Sequence, residues 1–139
     1  MKLSLVIAAC VAAAPHVCAA QADSLELFAR GALSPPDAGV SFGTLSPDGK
    51  EFYYTVHPAD WSRHRVVVSR LDGVNWSTPE TLPFSGRWND REPRLTPDGR
   101  RLYFSSNRPV QASDTARRRD LDLWITPRAT EGTWGPDIA

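Results

Sequence analysis

Cysteine is scarce in this chain of 139 residues: there are 2, at positions 10 and 18, and none follows. No disulfide can staple the rest of the chain, and no thiol nucleophile is available there. A charge excess is also missing. The 16 Lys and Arg residues balance the 16 Asp and Glu residues, and the two signs are interleaved. Without a cationic surplus, counterion release cannot drive binding to a phosphate backbone, so nucleic acid is not an expected partner. Long apolar runs are absent from Asp23 onward, where nothing approaches the roughly 20 residues that cross a bilayer. Nor does any segment sustain a 3.6-residue apolar period, which argues against helices.

What is present begins with an export signal. Met1-Lys2 is a short basic start, residues 3–14 are apolar and Ala-rich, and small residues follow at Cys18-Ala19-Ala20 and Ala20-Gln21-Ala22. This is the layout of a secretory signal peptide. Residues 1–22 are read as that signal and residues 23–139 as the mature domain. Cleavage removes both cysteines and Lys2, leaving 15 basic against 16 acidic residues and a net charge near −1. The expected product is periplasmic or secreted, soluble, without a membrane span, and held by packing alone. A second reading takes Ile7-Ala8-Ala9-Cys10 as a lipobox with Cys10 as the acylated anchor, although the apolar stretch before it is short for that role.

Laid on itself, the sequence repeats. Leu45-Ser46-Pro47-Asp48-Gly49-Lys50 matches Leu95-Thr96-Pro97-Asp98-Gly99-Arg100 at an offset of 50. Phe52-Tyr53-Tyr54 then matches Leu102-Tyr103-Phe104, Val66-Val67-Val68 matches Leu123-Trp124-Ile125, and Trp76 matches Trp134 at an offset of 58. About eight extra residues in the second copy fall in the polar stretch 109–119, read as a surface loop. In each Pro-Asp-Gly segment, proline pre-sets one turn φ while Asp-Gly suits a bend and a positive φ, so a hairpin follows. The strands after these turns are apolar on both faces: Phe52, Tyr54 and Val56 alternate with Tyr53 and Thr55. Such strands need cover on both sides. Repeats of this length point to propellers or solenoids.

These pieces, followed by Ser105-Ser106-Asn107-Arg108-Pro109, Asp120-Leu121-Asp122-Leu123-Trp124 and Gly132-Thr133-Trp134-Gly135, resemble the Pro-Asp-Gly type of WD-like propeller repeat found in TolB-like periplasmic proteins. The resemblance covers residues 42–134, more fully in the second copy than in the first, where Val56-His57-Pro58 replaces the Ser-Asn-Arg-Pro corner. Residues 25–34 resemble the strand that precedes a first blade. The resemblance implies an all-β, incomplete propeller of antiparallel four-stranded blades, at about 40–86 and 90–138. Closed propellers take about 4 to 8 blades, and at about 45 residues each even four need roughly 180. The expectation is therefore a truncated member of its family or a module completed by self-association.

Candidate chemistry is thin. His57 and His64, with Asp60 between them, match no metal-ligand spacing and are read as solvated loop histidines, so no metal is expected. Ser41, Ser62, Ser69 and Ser105 stand in no nucleophile-elbow context. Asp90 with Glu92, and Asp120 with Asp122, are carboxylate pairs, which act as glycosidase acid and base only at set separations. Structural roles in ion pairs and turns are the expectation for both pairs. Ser69-Arg70-Leu71-Asp72-Gly73-Val74-Asn75-Trp76 nearly matches the Asp-box of sialidases, with Asp displaced by one, and argues for a hairpin. Arg117, Arg118 and Arg119 form a basic cluster beside Asp114 and Asp120, read as solvated. Trp76, Trp124 and Trp134 are read as core, each contributing about 2 to 3 kcal/mol on burial, and Trp61 and Trp88 as exposed contacts.

The resemblance implies that Asp90, Arg91 and Glu92 lie close to a central channel. With Arg108, Trp61 and Trp88 they are the expected binding residues. The expected function is a non-enzymatic, exported module for protein binding or scaffolding at the cell envelope, without a cofactor, whose partner is an envelope or periplasmic protein or a second copy. The alternative is a fragment of a propeller-bearing hydrolase, a peptidase or a glycan-active enzyme, which a Gly-x-Ser-x-Gly domain after position 139 would reveal.

Overall fold

The computed structural model describes residues 28, 29, 31–111, 119–129 and 132–135. The export signal, the lipobox, Asp114, Arg117 and Arg118 lie outside them. The described region is all-β, built of antiparallel sheets of which one curls like half a barrel. Its strands are β1 (Ala38–Leu45), β2 (Glu51–Pro58), β3 (Arg65–Asp72), β4 (Asn75–Trp76), β5 (Glu80–Thr81), β6 (Asp90–Leu95), β7 (Arg101–Ser106) and β8 (Asp122–Pro127). The first sheet runs β1-β2-β3, with β4 and β5 both paired to β3 as a broken outer strand. The second runs β6-β7-β8. It has three strands where four were expected, although an isolated Arg128–Trp134 bridge stands where β4 meets β3 in the first.

The repeat read from sequence is a repeat of hydrogen bonds. Gly49 N–H donates to Ser46 C=O at 2.9 Å, and Gly99 N–H to Thr96 C=O at 2.8 Å. Both glycines hold positive φ, 70° and 69°, a conformation only glycine adopts without strain. Asp48 and Asp98 each accept from the hydroxyl two residues back and from the amide two residues on, at Ser46 and Lys50, and at Thr96 and Arg100. Those donors hold both carboxyls below the usual aspartate range, the hydroxyl contributing most. Leu71 N–H donates to Lys50 C=O and Arg128 N–H to Arg100 C=O, both at 2.8 Å.

A second shared feature is a bulge in the leading strand. The β1–β2 register slips between Ser41 and Gly43, and the β6–β7 register slips between Arg91 and Arg94. The extra residue is Phe42 in one and Glu92 in the other, 50 positions apart, and each holds positive φ, 48° and 59°. For a non-glycine residue this costs roughly 1 to 3 kcal/mol and persists only when the surroundings impose it. The bulges touch: Arg94 Nη1 donates to Gly43 C=O at 3.1 Å.

Alternation then sorts the side chains. One face of the first sheet carries Tyr53, Val66 and Val68, which pack with Leu82, Phe84, Leu102, Phe104 and Trp134 in a core between the sheets. The other carries Tyr54, Val56 and Val67, which pack with Leu33 and are joined by Ala29, Ala38, Phe52 and Trp76. β2 is thus buried on both faces, as its composition demands. Part of the second cover comes from the segment read as a preceding strand. Its described residues form turns instead, with Ala32 N–H donating to Ala29 C=O, and Pro35-Pro36 follows to prevent ladder pairing. Trp134 is core, donating from Nε1 to Tyr53 Oη at 3.1 Å, whereas Trp76 and Trp124 are half-buried at the edges of their clusters. Burial pushes the Tyr53 phenol up to about 12.

Candidate functional site

At the end away from the Pro-Asp-Gly turns, the face of the first sheet that looks towards β6 turns polar. Across β1 and β2, Gly39 pairs with His57 and Ser41 with Thr55, and Glu92 N–H donates to Thr55 Oγ1 at 3.0 Å. The imidazole of His57 lies flat over Gly39; any side chain there would collide with its ring, since a Cβ would stand 2.3 Å from Cε1. Trp61 closes the cluster from outside. Its ring stacks on His57 with centroids 3.7 Å apart and lies 5.7 Å from His64, and its own backbone is held at φ 57°. His57 and His64 are 5.4 Å apart.

Both histidines are therefore buried, against the expectation of solvated loop residues. His57 is a strand residue under a tryptophan, and His64 leads into β3 with its amide donating to Asn89 Oδ1 at 3.3 Å. Burial holds the His64 imidazole below its ordinary range. Arg91 and His57 act in the same sense and Glu92 opposes them. Among the described residues, His64 Nε2, Arg91 Nε and Ser41 Oγ are shielded from solvent and have no hydrogen-bond partner. Buried polar groups are nearly always paired, so three orphans around one cluster mark it out. Asp60 is exposed and accepts from Ser62 N–H at 3.0 Å. Among the described residues, no three His, Cys, Asp or Glu side chains gather as a metal site requires.

Of the six residues expected to bind, Arg91, Glu92 and Trp61 meet here. Trp61 is 56% exposed, as expected, and Glu92 Oε2 accepts from Ser105 Oγ at 3.1 Å. Trp88 is half-buried and lies under the Arg87 guanidinium, 5.2 Å from its ring centre. Asp90 and Arg108 lie elsewhere, paired with each other at 2.9 Å and exposed by only 0% and 2%. Asp90 Oδ2 also accepts from Ser85 Oγ and Gly86 N–H, and Arg108 donates to Phe84 C=O and Ser106 Oγ. The guanidinium rests 4.8 Å from the Phe104 ring centre and 5.4 Å from that of Trp124. This is a sealed ion pair that ties the Ser-Asn-Arg-Pro corner to the start of β6. Solvent does not reach it, so its role is structural.

Sequence reasoning missed His57, His64 and Ser41. The available signal was Gly39, whose lack of a side chain makes room for a ring on the neighbouring strand, but its partner depends on register.

Among the described residues, none covers the outer face of the second sheet. Tyr103, Leu123 and Ile125 share it by register, and Leu123 is 72% exposed. Among the described residues no helix is long and apolar enough to cross a membrane. Comparison with protein-family models, characterised proteins and solved structures gives no match.

Proposed function

We propose that this protein is a non-enzymatic, exported repeat module of the β-propeller type, similar to TolB-like proteins, which works by binding protein through the outer face of its second sheet. One observation carries the reading. Tyr103, Leu123 and Ile125 are the repeat counterparts of Tyr53, Val66 and Val68, the side chains with which the first sheet receives the second. The face that is sealed in one repeat is offered in the other, with the same apolar character. A sheet bearing large apolar side chains such as Leu102 and Phe104 fits it, and a second copy supplies the partner. The meander of strands, the paired turns and the adjacent bulged strands β1 and β6 fit blades around an axis.

The test is sedimentation equilibrium of the purified protein, alone and with Leu123→Lys and Ile125→Lys combined. The reading expects the wild type to associate, and the double variant to be monomeric with an unchanged circular dichroism spectrum. A wild-type monomer, or association that survives both substitutions, contradicts it.

A further inference from the structure

The junction between the two sheets is built from places that the repeat supplies twice. On the first sheet it uses Tyr53, Val66 and Val68, and on the second Leu95, Leu102, Phe104, Trp124 and Trp134. The repeat carries the first set onto Tyr103, Leu123 and Ile125, on the outer face of the second sheet. It carries the second set onto Leu45, Phe52, Tyr54, Val67 and Trp76, on the outer face of the first. Each chain thus holds both halves of one joint a second time, facing outward.

Individual contacts follow the same rule. Within the junction Trp134 Nε1 donates to Tyr53 Oη at 3.1 Å; on the outer faces those places hold Trp76 and Tyr103, whose polar atoms have no partner among the described residues. Glu92 N–H, in the bulge of β6, donates to Thr55 Oγ1, and Phe42, in the bulge of β1, and Ser105 stand at the matching positions. A Cβ on Gly99 would stand 3.3 Å from Pro47, whereas one on Gly49 would meet nothing within 4 Å, which leaves room for Pro97 of another copy. The first sheet also brings a cover with it. Phe84 stacks on Phe104 inside the junction, centroids 4.6 Å apart, and among the described residues the second repeat has nothing in the place of Leu82 and Phe84. On the outer face of the first sheet that place goes to Leu33 and Phe28. Tyr54 Oη donates to Leu33 C=O at 3.0 Å, and the Phe28 ring meets Phe52 and Trp76 edge-on at 5.3 and 5.7 Å. Phe28 is still 54% exposed and Leu45 46%, so apolar surface is left over.

We propose that copies of this chain join head to tail, the outer face of one copy's second sheet receiving the outer face of the next copy's first sheet, with Phe28 and Leu45 laid towards Leu123 and Ile125. This rests on the reading that a second copy covers the second sheet, and adds which surface that copy offers. Because the two faces differ, the interface is heterologous, and each assembly keeps one free face of each kind unless it closes into a ring. One element of the internal junction is missing. Glu51 and Arg128 pair there at 2.7 Å, whereas Arg101 and Leu71 hold the matching positions on the outer faces. The joint between copies is therefore weaker than the one within the chain and reverses on dilution.

The experiment is sedimentation of complementary variants of the purified protein. Leu123→Lys with Ile125→Lys disables one face, and Phe28→Lys with Leu45→Lys disables the other. Each double variant is expected to be monomeric alone with an unchanged circular dichroism spectrum, and their equimolar mixture to form a dimer of one of each and nothing larger. A second readout needs no variant: in NMR of the wild type, the Trp76 indole N–H signal is expected to move as concentration rises while that of Trp134 stays. A folded first-sheet variant that associates like the wild type overturns the inference and leaves the role of the second sheet standing. So does a mixture of folded variants that stays monomeric, or a Trp76 signal indifferent to concentration in a wild type that associates. A monomeric wild type overturns the underlying reading as well.

Discussion

Tyr53 and Tyr103 occupy the same place in the two repeats, yet the first is sealed between sheets and the second lies at the surface. Around them the local structure is the same: a Pro-Asp-Gly turn with glycine at positive φ, a bulge in the leading strand, and a returning amide that closes onto residue 50 or 100. The difference is the neighbour. Backbone geometry is written locally and survives in either setting, whereas burial depends on what packs alongside. The second repeat keeps apolar residues at Leu123 and Ile125 although none of the described residues covers them.

The largest expected effect breaks the junction itself. Asp90 and Arg108 have no counterpart in the first repeat, where Val40 and Pro58 stand at the matching positions. Arg108→Met leaves a buried carboxylate without its cation and should cost about 3 to 5 kcal/mol in urea unfolding. Adding Asp90→Val should recover most of that loss. A small effect of the single change would show that the pair is dispensable.

Opposite faces of the second sheet give a sharper contrast. Phe104→Ala removes a ring from the core between the sheets and should cost about 3 to 5 kcal/mol, while Leu123→Ala on the open face should stay within about 0.5 kcal/mol in dilute monomer. Comparable losses would mean that the outer face is covered. The turns test equivalence instead. Gly49→Val and Gly99→Val should each cost about 1 to 3 kcal/mol by thermal melting, because valine resists positive φ. Gly99 should be the worse site, since its Cβ would stand 3.3 Å from Pro47 Cδ of the neighbouring turn.

The smallest effect is one of pH. His64 is held below its ordinary range in the folded protein and titrates near about 6.5 when unfolded. Below that value the unfolded state binds more protons, so stability is full above pH about 6.5 and is lost as pH falls towards the folded-state value. His64→Gln should flatten the dependence of the urea midpoint in this window. An unchanged slope would assign it to other groups.

The turns and the need for two-sided cover were legible because both are local: Pro-Asp-Gly fixes its own dihedrals, and a strand with Phe52, Tyr53, Tyr54 and Val56 in succession has no face for water. The bulges were not legible, because neither Phe42 nor Glu92 is a residue that favours positive φ. They follow from the fit of β1 against β6. The channel position implied by the resemblance puts Asp90 among the binding residues, beside the expectation of an ion pair; that its partner is Arg108, 18 positions on, is not written locally. Trp61 and Arg91 were found as separate residues. Their meeting over His57 and His64 depends on strand register, which the turn alone does not set once a bulge intervenes.

The claim that one unit is built twice is tested most directly by amide hydrogen exchange. Three matched pairs matter: Ser46 with Thr96, Gly49 with Gly99, and Leu71 with Arg128, each with its amide in the same hydrogen bond. Protection well above that of unstructured peptide is predicted at both members of every pair. Protection confined to Ser46, Gly49 and Leu71, with Thr96, Gly99 and Arg128 exchanging as in free peptide, would contradict it.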